Sequence, residues 1–288
     1  MPGTIVVHPG GAHMDEVLAT GLIVHRHGQM TVERRRPTAD ELRSVDTWVV
    51  DIGGSHDPAL LDFDHHQDDP TVADECALSL VARHLGLHEL LSTRPWYPAQ
   101  VTVDLRGSAA LASQFGLEGG MPDALTSPAE SGLLALWQAG GNGPVAPALV
   151  EHVGALAGAL VDEARRFGTE LSMANGRVQI RLVGGLPIMF LERSFSEPVV
   201  EHLRRGWEAA TEQRIAATVA PDSRDPDGLA LDRFQGETRI DFRWLHDHPR
   251  IRFAHKSGFV AKTQPGVTMA EVEQMLARSV REPHPENS

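Results

Sequence analysis

The sequence predicts an α/β protein: an N-terminal, mainly parallel sheet flanked by helices, followed by a smaller C-terminal α/β domain carrying a mixed sheet. Three observations carry this expectation. Short apolar runs alternate with helix-like patterns through the first half, as parallel α/β sheets require. That strict rhythm is lost beyond Leu171–Gly176 (LSMANG), where strands and helices continue without it. A chain of 288 residues at 41% hydrophobic can also bury two cores. The expected domains are residues 1–170 and 176–288.

Taken in order, TIVVH (Thr4 to His8) reads as a buried strand, and a Pro-Gly-Gly turn leads into MDEVLATGLIVHRHG, whose Val17, Leu18, Leu22 and Val24 share one helical face. MTVERR is a second strand, Thr38 to Ser44 a short helical stretch, and TWVVD (Thr47 to Asp51) a third strand that stops at Gly53-Gly54. ADECALSLVARHLG, the region around VTVDLRGS, SPAESGLLALWQAG and PALVEHVGALAGALVDEARRF read as helices packed on that sheet. In the second part, RVQIRLVGGLPIMFLE gives two strands around Gly184-Gly185, and a helix runs from Glu197 to about Glu212. IAATVAP and IRFAHKSGFV are one strand each, APDSRDPDG is a turn-rich loop, TMAEVEQMLARSV is a closing helix, and REPHPENS is a mobile tail.

Composition removes several function classes. No run reaches the roughly 18 to 20 apolar residues of a membrane helix, and MPGTIVVHPGG lacks the basic start and cleavage site of a signal peptide, so a cytoplasmic, membrane-free protein is expected. The net charge of −13 argues against binding long duplex DNA, whose affinity depends on many Lys and Arg contacts to phosphate. One cysteine, Cys76, excludes an intrachain disulfide and a cysteine zinc cluster; it reads as a small buried apolar group. Any metal site must therefore use His, Asp and Glu.

Four clusters offer such ligands. HPGGAHMDE places His8 at a strand end and His13, Asp15 and Glu16 at a helix entry; Asp51 ends TWVVD. Strand carboxyl ends and helix N-termini are where α/β sheets bind ligands, because free N–H groups and the helix dipole favour anions there. The third is Asp64-His65-His66 in LDFDHHQDD. In an extended chain Asp64 and His66 share a face that His65 does not, so one imidazole can be a ligand while a carboxylate orients from behind. The fourth is Asp104 in VTVDLRGS. Each has a plainer counterpart: a solvated strand-end histidine, a turn-forming aspartate, or an acidic loop.

HPGGAHMDE, VVDIGG, DPALLDFDHHQ and FAHKSGF, in this order from His8 to Phe259, resemble the melanocyte-proliferating-gene family of metal-dependent hydrolases, a branch of the DHH phosphoesterase superfamily. The resemblance implies a DHH-like N-terminal catalytic domain, a C-terminal substrate-binding domain, and two divalent ions in a cleft between them. It assigns His8, His13 and Asp51 to one ion, and Asp15, Asp51, His65 and Asp104 to the other, with Asp51 bridging. Asp64 becomes an orienting carboxylate and His66 faces the substrate as proton donor or transition-state stabiliser. Two positions depart from the family pattern. The Asp104 region reads VDLRG where Asp-Asn-Gly is usual, and Ala12 replaces a bulkier residue.

The function expected on that basis is hydrolysis of phosphodiester bonds in short oligonucleotides or small nucleotides by a hydroxide shared between two cations about 3.5–4 Å apart. Mixed imidazole and carboxylate ligands favour Mn2+, with Co2+, Fe2+, Zn2+ and Mg2+ as alternatives. His255, Lys256, Ser257 and Gly258 would bring cationic and backbone donors to the substrate, although HKSGFVAK also reads as a lysine-protected edge strand. Arg106 is a further phosphate-binding candidate, set against a simply solvated side chain. The Arg34-Arg35-Arg36 run reads as a surface loop, and Trp244 and Phe253 as core aromatics rather than base-stacking ones. Pyrophosphate or a non-phosphate substrate, and a metal- or nucleotide-binding module without turnover, are the competing functions. Homo-oligomerisation is left open.

Overall fold

Ile5, Val6 and Val7 are fully buried, and this decides the architecture of the first half: a strand buried on both faces must lie inside a covered, parallel sheet. The computed structural model describes residues 3–116 and 127–281. These form two compact units, Met1–Arg166 and Phe167–Ser288.

In the first unit, strands β1 (Gly3–Val7), β2 (Met30–Arg34), β3 (Thr47–Val50), β4 (His56–Asp57), β5 (Asp62–Phe63) and β6 (Gly143–Pro144) pair in the order β4-β5-β3-β1-β2-β6. The four central strands are parallel, and β4 and β6 close the edges antiparallel. From β1 the chain passes through helix α1 (Met14–His27) to β2, then returns to add β3 on the other side of β1. The winding direction reverses there. The carboxyl ends of β1 and β3 thus flank a topological switch point, the usual ligand crevice of such sheets.

Helices α2 (Ala77–His84), α3 (His88–Ser92), α4 (Trp96–Gln114), α5 (Pro128–Gln138) and the N-terminal part of α6 (Pro147–Ala174) complete this unit. Helix α1 is buried from Asp15 to Val24, and it packs closely on α6 because glycine keeps the surfaces near. An added Cβ at Gly21 would lie 2.6 Å from the Val153 carbonyl oxygen, and one at Gly154 would lie 2.5 Å from Val24. Cys76 is fully buried at the start of α2, where its N–H donates to Ser79 Oγ (2.9 Å), and burial pushes its thiol pKa up.

The second unit contains β7 (Val178–Val183), β8 (Leu186–Leu191), helix α7 (Glu197–Thr211), β9 (Ala217–Asp222), β10 (Asp225–Arg233), β11 (Ile251–Ala254), β12 (Val260–Thr263) and helix α8 (Met269–Ser279). Its sheet order is β11-β12-β10-β9-β8-β7, mixed because β8 and β9 alone among these pairs run parallel. Three expectations fail here. APDSRDPDG is mostly strand: β9 and β10 pair across it, and a register shift between Asp225 and Leu229 absorbs the Pro and Gly. IRFAHKSGFV is two antiparallel strands joined by a turn at His255–Gly258. Trp244 and Phe253 are exposed, 72% and 45%, rather than core. Of the tail, residues 282–288 lie outside the described residues. No described helix is long and apolar enough to cross a membrane.

The α1–α6 contact gives a direct test. Gly21→Ala forces a methyl against a backbone carbonyl that cannot swing aside, an overpacking cost of about 1–3 kcal/mol. That exceeds the ~1 kcal/mol that alanine gains in a helix. Gly132→Ala on α5 meets open space and should stabilise by up to about 1 kcal/mol. Urea titrations of both variants should move in opposite directions; a stabilised Gly21→Ala would refute the close approach.

Candidate metal centre

The parallel strands deliver their first irregular residues to one end of the sheet. His8 follows β1, Asp51 follows β3, and Asp64-His65-His66 follow β5. His13 precedes α1, and Asp15 and Glu16 occupy its first turn, where the helix dipole favours carboxylates. Asp51 adopts a left-handed backbone (φ 59°), a conformation that aspartate tolerates better than most side chains. Its N–H donates to the Phe63 carbonyl (3.0 Å), which ties the end of β3 to the start of the triplet. Asp104 arrives from α4, some forty residues further along.

These side chains converge. His8 Nε2 lies 2.9 Å from Glu16 Oε2 and 3.4 Å from Asp51 Oδ2. His65 Nε2 lies 3.2 Å from Asp51 Oδ1 and 3.3 Å from Asp104 Oδ2. Donor atoms fall within 4.8 Å of one another in three overlapping groups: His8, His13 and Asp51; Asp51, His65 and His66; His13, Asp15 and Asp104. Asp51 presents one oxygen to His8 and the other to His65.

The polar atoms approach without closing hydrogen bonds. Among the described residues, His8 Nε2, His65 Nε2, Asp104 Oδ2 and both carboxylate oxygens of Asp15, Glu16 and Asp51 are buried with no hydrogen-bond partner. Such groups are costly unless something satisfies them. Their donor atoms crowd together in overlapping groups, and imidazole with carboxylate is a donor set that suits divalent transition metals. The residues therefore fit a metal centre.

Electrostatics agree. Burial, reinforced by Asp51 and Asp104, holds the Asp15 carboxyl well above the usual carboxylate range. Burial also raises Glu16, although His8 opposes it. The Glu16 carboxylate beside His8 raises that imidazole to about 9 in spite of burial. Burial disfavours the charged form of His65, but Asp51, Asp104 and Asp64 outweigh it and raise the ring too. Carboxylates that keep protons and imidazoles that gain them mark a pocket short of positive charge.

The triplet divides in space. His65 is 10% exposed and faces Asp51 and Asp104, whereas His66 is 59% exposed. Asp64 accepts from Gly54 N (2.6 Å) and His66 N (3.1 Å), and its Oδ1 lies 2.7 Å from His66 Nδ1. It thus orients His66 rather than His65. Burial would raise Asp64, but the Gly54 and His66 donors outweigh that and lower it.

Glu16 was already offered by the first cluster, whereas Arg34 escapes a reading by local pattern. Glu16 is fully buried beside His8. Arg34, expected on a surface loop, is only 1% exposed; its guanidinium donates to the carbonyls of Gly10 (2.6 Å) and Gly141 (3.4 Å), bracing the turn between His8 and His13. The signal was its phase: Met30, Val32 and Arg34 alternate onto one buried face of β2. Arg35 is half-buried between Glu33 and Glu41, and Arg36 is exposed. Of the remaining candidates, Arg106 is exposed on α4 with Nη2 3.3 Å from Asp74 Oδ1. His255, Lys256, Ser257 and Gly258 form the β11–β12 turn of the second unit, where His255 Nδ1 lies 2.6 Å from Ser257 Oγ. Gly258 has φ 72°, and a Cβ there would overlap the Asp241 carboxylate. Ala12 is buried in the core of the first unit.

Residues 4–83 match the model of the family described as MYG1_exonuc, Uncharacterised protein family (UPF0160). Over these residues the chain is similar to the melanocyte-proliferating-gene family. The match spans His8, His13, Asp15, Asp51 and the triplet, and ends before Asp104. None of the curated proteins matches the chain. Similar solved structures include the DHH domain of a protein described as a member of a family of ribosomal proteins (TM-score 0.35, 13% identity, 96% of this chain and 86% of that one). RecJ from Thermus thermophilus in complex with Mn2+ has a TM-score of 0.27 at 13% identity over 96% of this chain, which spans about half (51%) of that chain. An exopolyphosphatase-related protein from Bacteroides fragilis has a TM-score of 0.27 at 10% identity, over 96% of this chain and 91% of that one.

Asp62, just ahead of the triplet, reports on this environment through pH. It is 1% exposed, accepts from Ser55 Oγ, and burial, with Asp64 and Asp57 nearby, raises its pKa from 3.8 to about 6. Between those values the folded state binds more protons than the unfolded one, so the ionisation of Asp62 erodes stability as pH rises through that window. Asp62→Asn removes this erosion. The stability of the variant relative to wild type, from urea titrations, should climb between pH ~4 and ~6 and level off above. A difference independent of pH would refute the raised pKa.

Proposed function

We propose that this protein is a metal-dependent phosphoesterase that hydrolyses phosphodiester bonds of short oligonucleotides or small nucleotides, using two divalent ions, Mn2+ favoured, held by its first unit. The observation that carries the reading is Asp51: a buried carboxylate in a left-handed backbone, with one oxygen turned to His8 and the other to His65. His8, His13 and Asp51 form one ligand set, and Asp15, Asp51, His65 and Asp104 the other. When bound, divalent ions at these positions acidify water and neutralise charge building on a phosphoryl group.

The remaining roles fall to the chain itself. Asp64 holds His66 at Nδ1, which leaves Nε2 to face substrate, where it can protonate a leaving oxygen or bond a phosphoryl oxygen. Lys256, the His255–Ser257 pair and the backbone at Gly258 supply donors to the substrate phosphate, and Arg106 a further cation. The net charge of −13 favours short substrates recognised locally over long duplexes. The family description, which carries the word exonuclease in shortened form, agrees with a nuclease-like hydrolase.

Metal analysis of the purified protein, with phosphodiester, phosphomonoester and pyrophosphate substrates compared in Mn2+, tests the proposal. About two equivalents of transition metal and phosphodiester turnover are expected. Asp51→Asn should remove that turnover by more than the 10- to 100-fold typical of an outer-sphere residue. Full activity in metal-free protein would overturn the mechanism, and preference for pyrophosphate would overturn the substrate class.

The two adjacent histidines should separate cleanly. His65→Ala is expected to lower metal content, whereas His66→Ala keeps the metal and loses turnover by on the order of 10²–10⁴-fold, the range for a general acid. Equal metal loss in both variants would contradict the assigned roles.

A further inference from the structure

We propose that Glu16 is a metal ligand in its own right, a fourth protein donor to the ion held by His8, His13 and Asp51. The inference rests on the metal-centre reading above and extends its ligand set. Three observations carry it.

Glu16 is fully buried, and no hydrogen bond closes at either carboxylate oxygen among the described residues. Its ion-pair contact among the described residues is with His8 (Oε2 to Nε2, 2.9 Å), and a buried carboxylate with so little else around it is better satisfied when a divalent cation occupies the space it faces.

The second observation is which histidine nitrogen it faces. His8 Nδ1 lies 2.9 Å from the Pro9 carbonyl oxygen, an acceptor, so in the neutral ring that a metal would bind Nδ1 carries the hydrogen and Nε2 the lone pair. Glu16 Oε2 and Asp51 Oδ2 lie 2.9 Å and 3.4 Å from that same Nε2. A carboxylate that merely orients a ligating imidazole sits at the other nitrogen, the side away from the metal. For His8 that place is taken by the Pro9 carbonyl. Glu16 is on the coordinating side: in the metal-free protein a proton on Nε2 separates the two groups, and a divalent ion ligated by both would take its place.

The third is helix geometry. Asp15 and Glu16 are consecutive on the first turn of α1, so their side chains diverge by about 100°. Asp15 groups with His13 and Asp104, while Glu16 meets His8. One helix start therefore sends a carboxylate to each half of the centre. Glu16 reaches the first ion's group through His8, and as a donor beside His8, His13 and Asp51 it would complete a two-imidazole, two-carboxylate set, which suits Mn2+, Co2+ or Fe2+.

The test uses full-length protein stripped with chelator and titrated with Mn2+ and with Co2+. Glu16→Gln keeps the size and hydrogen-bonding capacity of the side chain but loses the anionic donor. It should weaken binding of one metal equivalent at least about tenfold and alter the visible Co2+ spectrum, while the second equivalent binds as in wild type. Circular dichroism of the metal-free variant verifies the fold. If Glu16→Gln fails to fold, Glu16→Ala is read by the same titration and the same criterion. Wild-type affinity and spectrum in the folded variant would overturn the role of Glu16 and leave the metal centre intact. A wild-type protein that binds no transition metal would overturn the proposed function and this inference together.

Discussion

Four carboxylates and three imidazoles crowd the carboxyl end of one parallel sheet, and the mutual repulsion of the carboxylates is the constraint to which the first unit is built. Asp15, Glu16 and Asp51 are 1%, 0% and 2% exposed. Two like charges about 5 Å apart repel by roughly 3 kcal/mol at an effective dielectric near 20. Whole domains are stable by only about 5–15 kcal/mol. Ionising every carboxylate without compensation would therefore remove much of the stability of the unit. Protonation is one escape, visible in the raised pKa values of Asp15 and Glu16, and bound cations are the other.

The scaffold tolerates the strain because each donor is fixed by backbone outside the cluster. β1 and β3 lie side by side, so His8 and Asp51 emerge as neighbours at the switch point. The Gly53-Gly54 break lets the chain turn so that Gly54 N–H reaches Asp64, which in turn holds His66. Arg34 braces the His8–His13 turn through the Gly10 carbonyl, and Asn142 Oδ1 accepts from the Gly10 N–H (3.3 Å). The donors thus cannot relax apart to relieve their repulsion, which is what a preorganised binding site requires.

What the sequence disclosed follows from how local each feature is. The strands β1 to β3 and helix α1 carry long apolar patterns, and the ligand types stand at their ends, so both element and donor are legible together. Strands of two residues, β4, β5 and β6, carry no period at all. Asp104 reaches the cluster only because α4 packs there, a long-range fact that resemblance supplied and local pattern could not. Asp-Pro-Asp-Gly looks like a loop by composition, yet β10 accommodates it through a register shift. Arg34 was hidden by its neighbours: three arginines in a row suggest a solvated surface, although alternation along β2 buries the first. Trp244 and Phe253 show the reverse error, where aromatic character suggested core and the side chains are exposed.

The same acidic crowding orders events under the proposed function. Without cations, a pocket lined by Asp15, Glu16, Asp51 and Asp104 repels a phosphate, so metal occupancy must precede productive substrate binding. Linkage makes the effect reciprocal: if bound ions increase affinity for an anionic substrate, the substrate increases affinity for the ions by the same factor. The only two lysines, Lys256 and Lys262, lie in the second unit, and Lys262 is already engaged with Asp222 Oδ1 at 2.7 Å. Of the buried arginines in the first unit, Arg34 directs its donors to backbone carbonyls and Arg94 pairs with Glu163 at 2.8 Å. In the first unit, attraction of a phosphate to the centre then depends on the ions, with exposed Arg106 as a further cation, and the carboxylates that make the metal-free pocket hostile to substrate are those that concentrate the metal to reverse it.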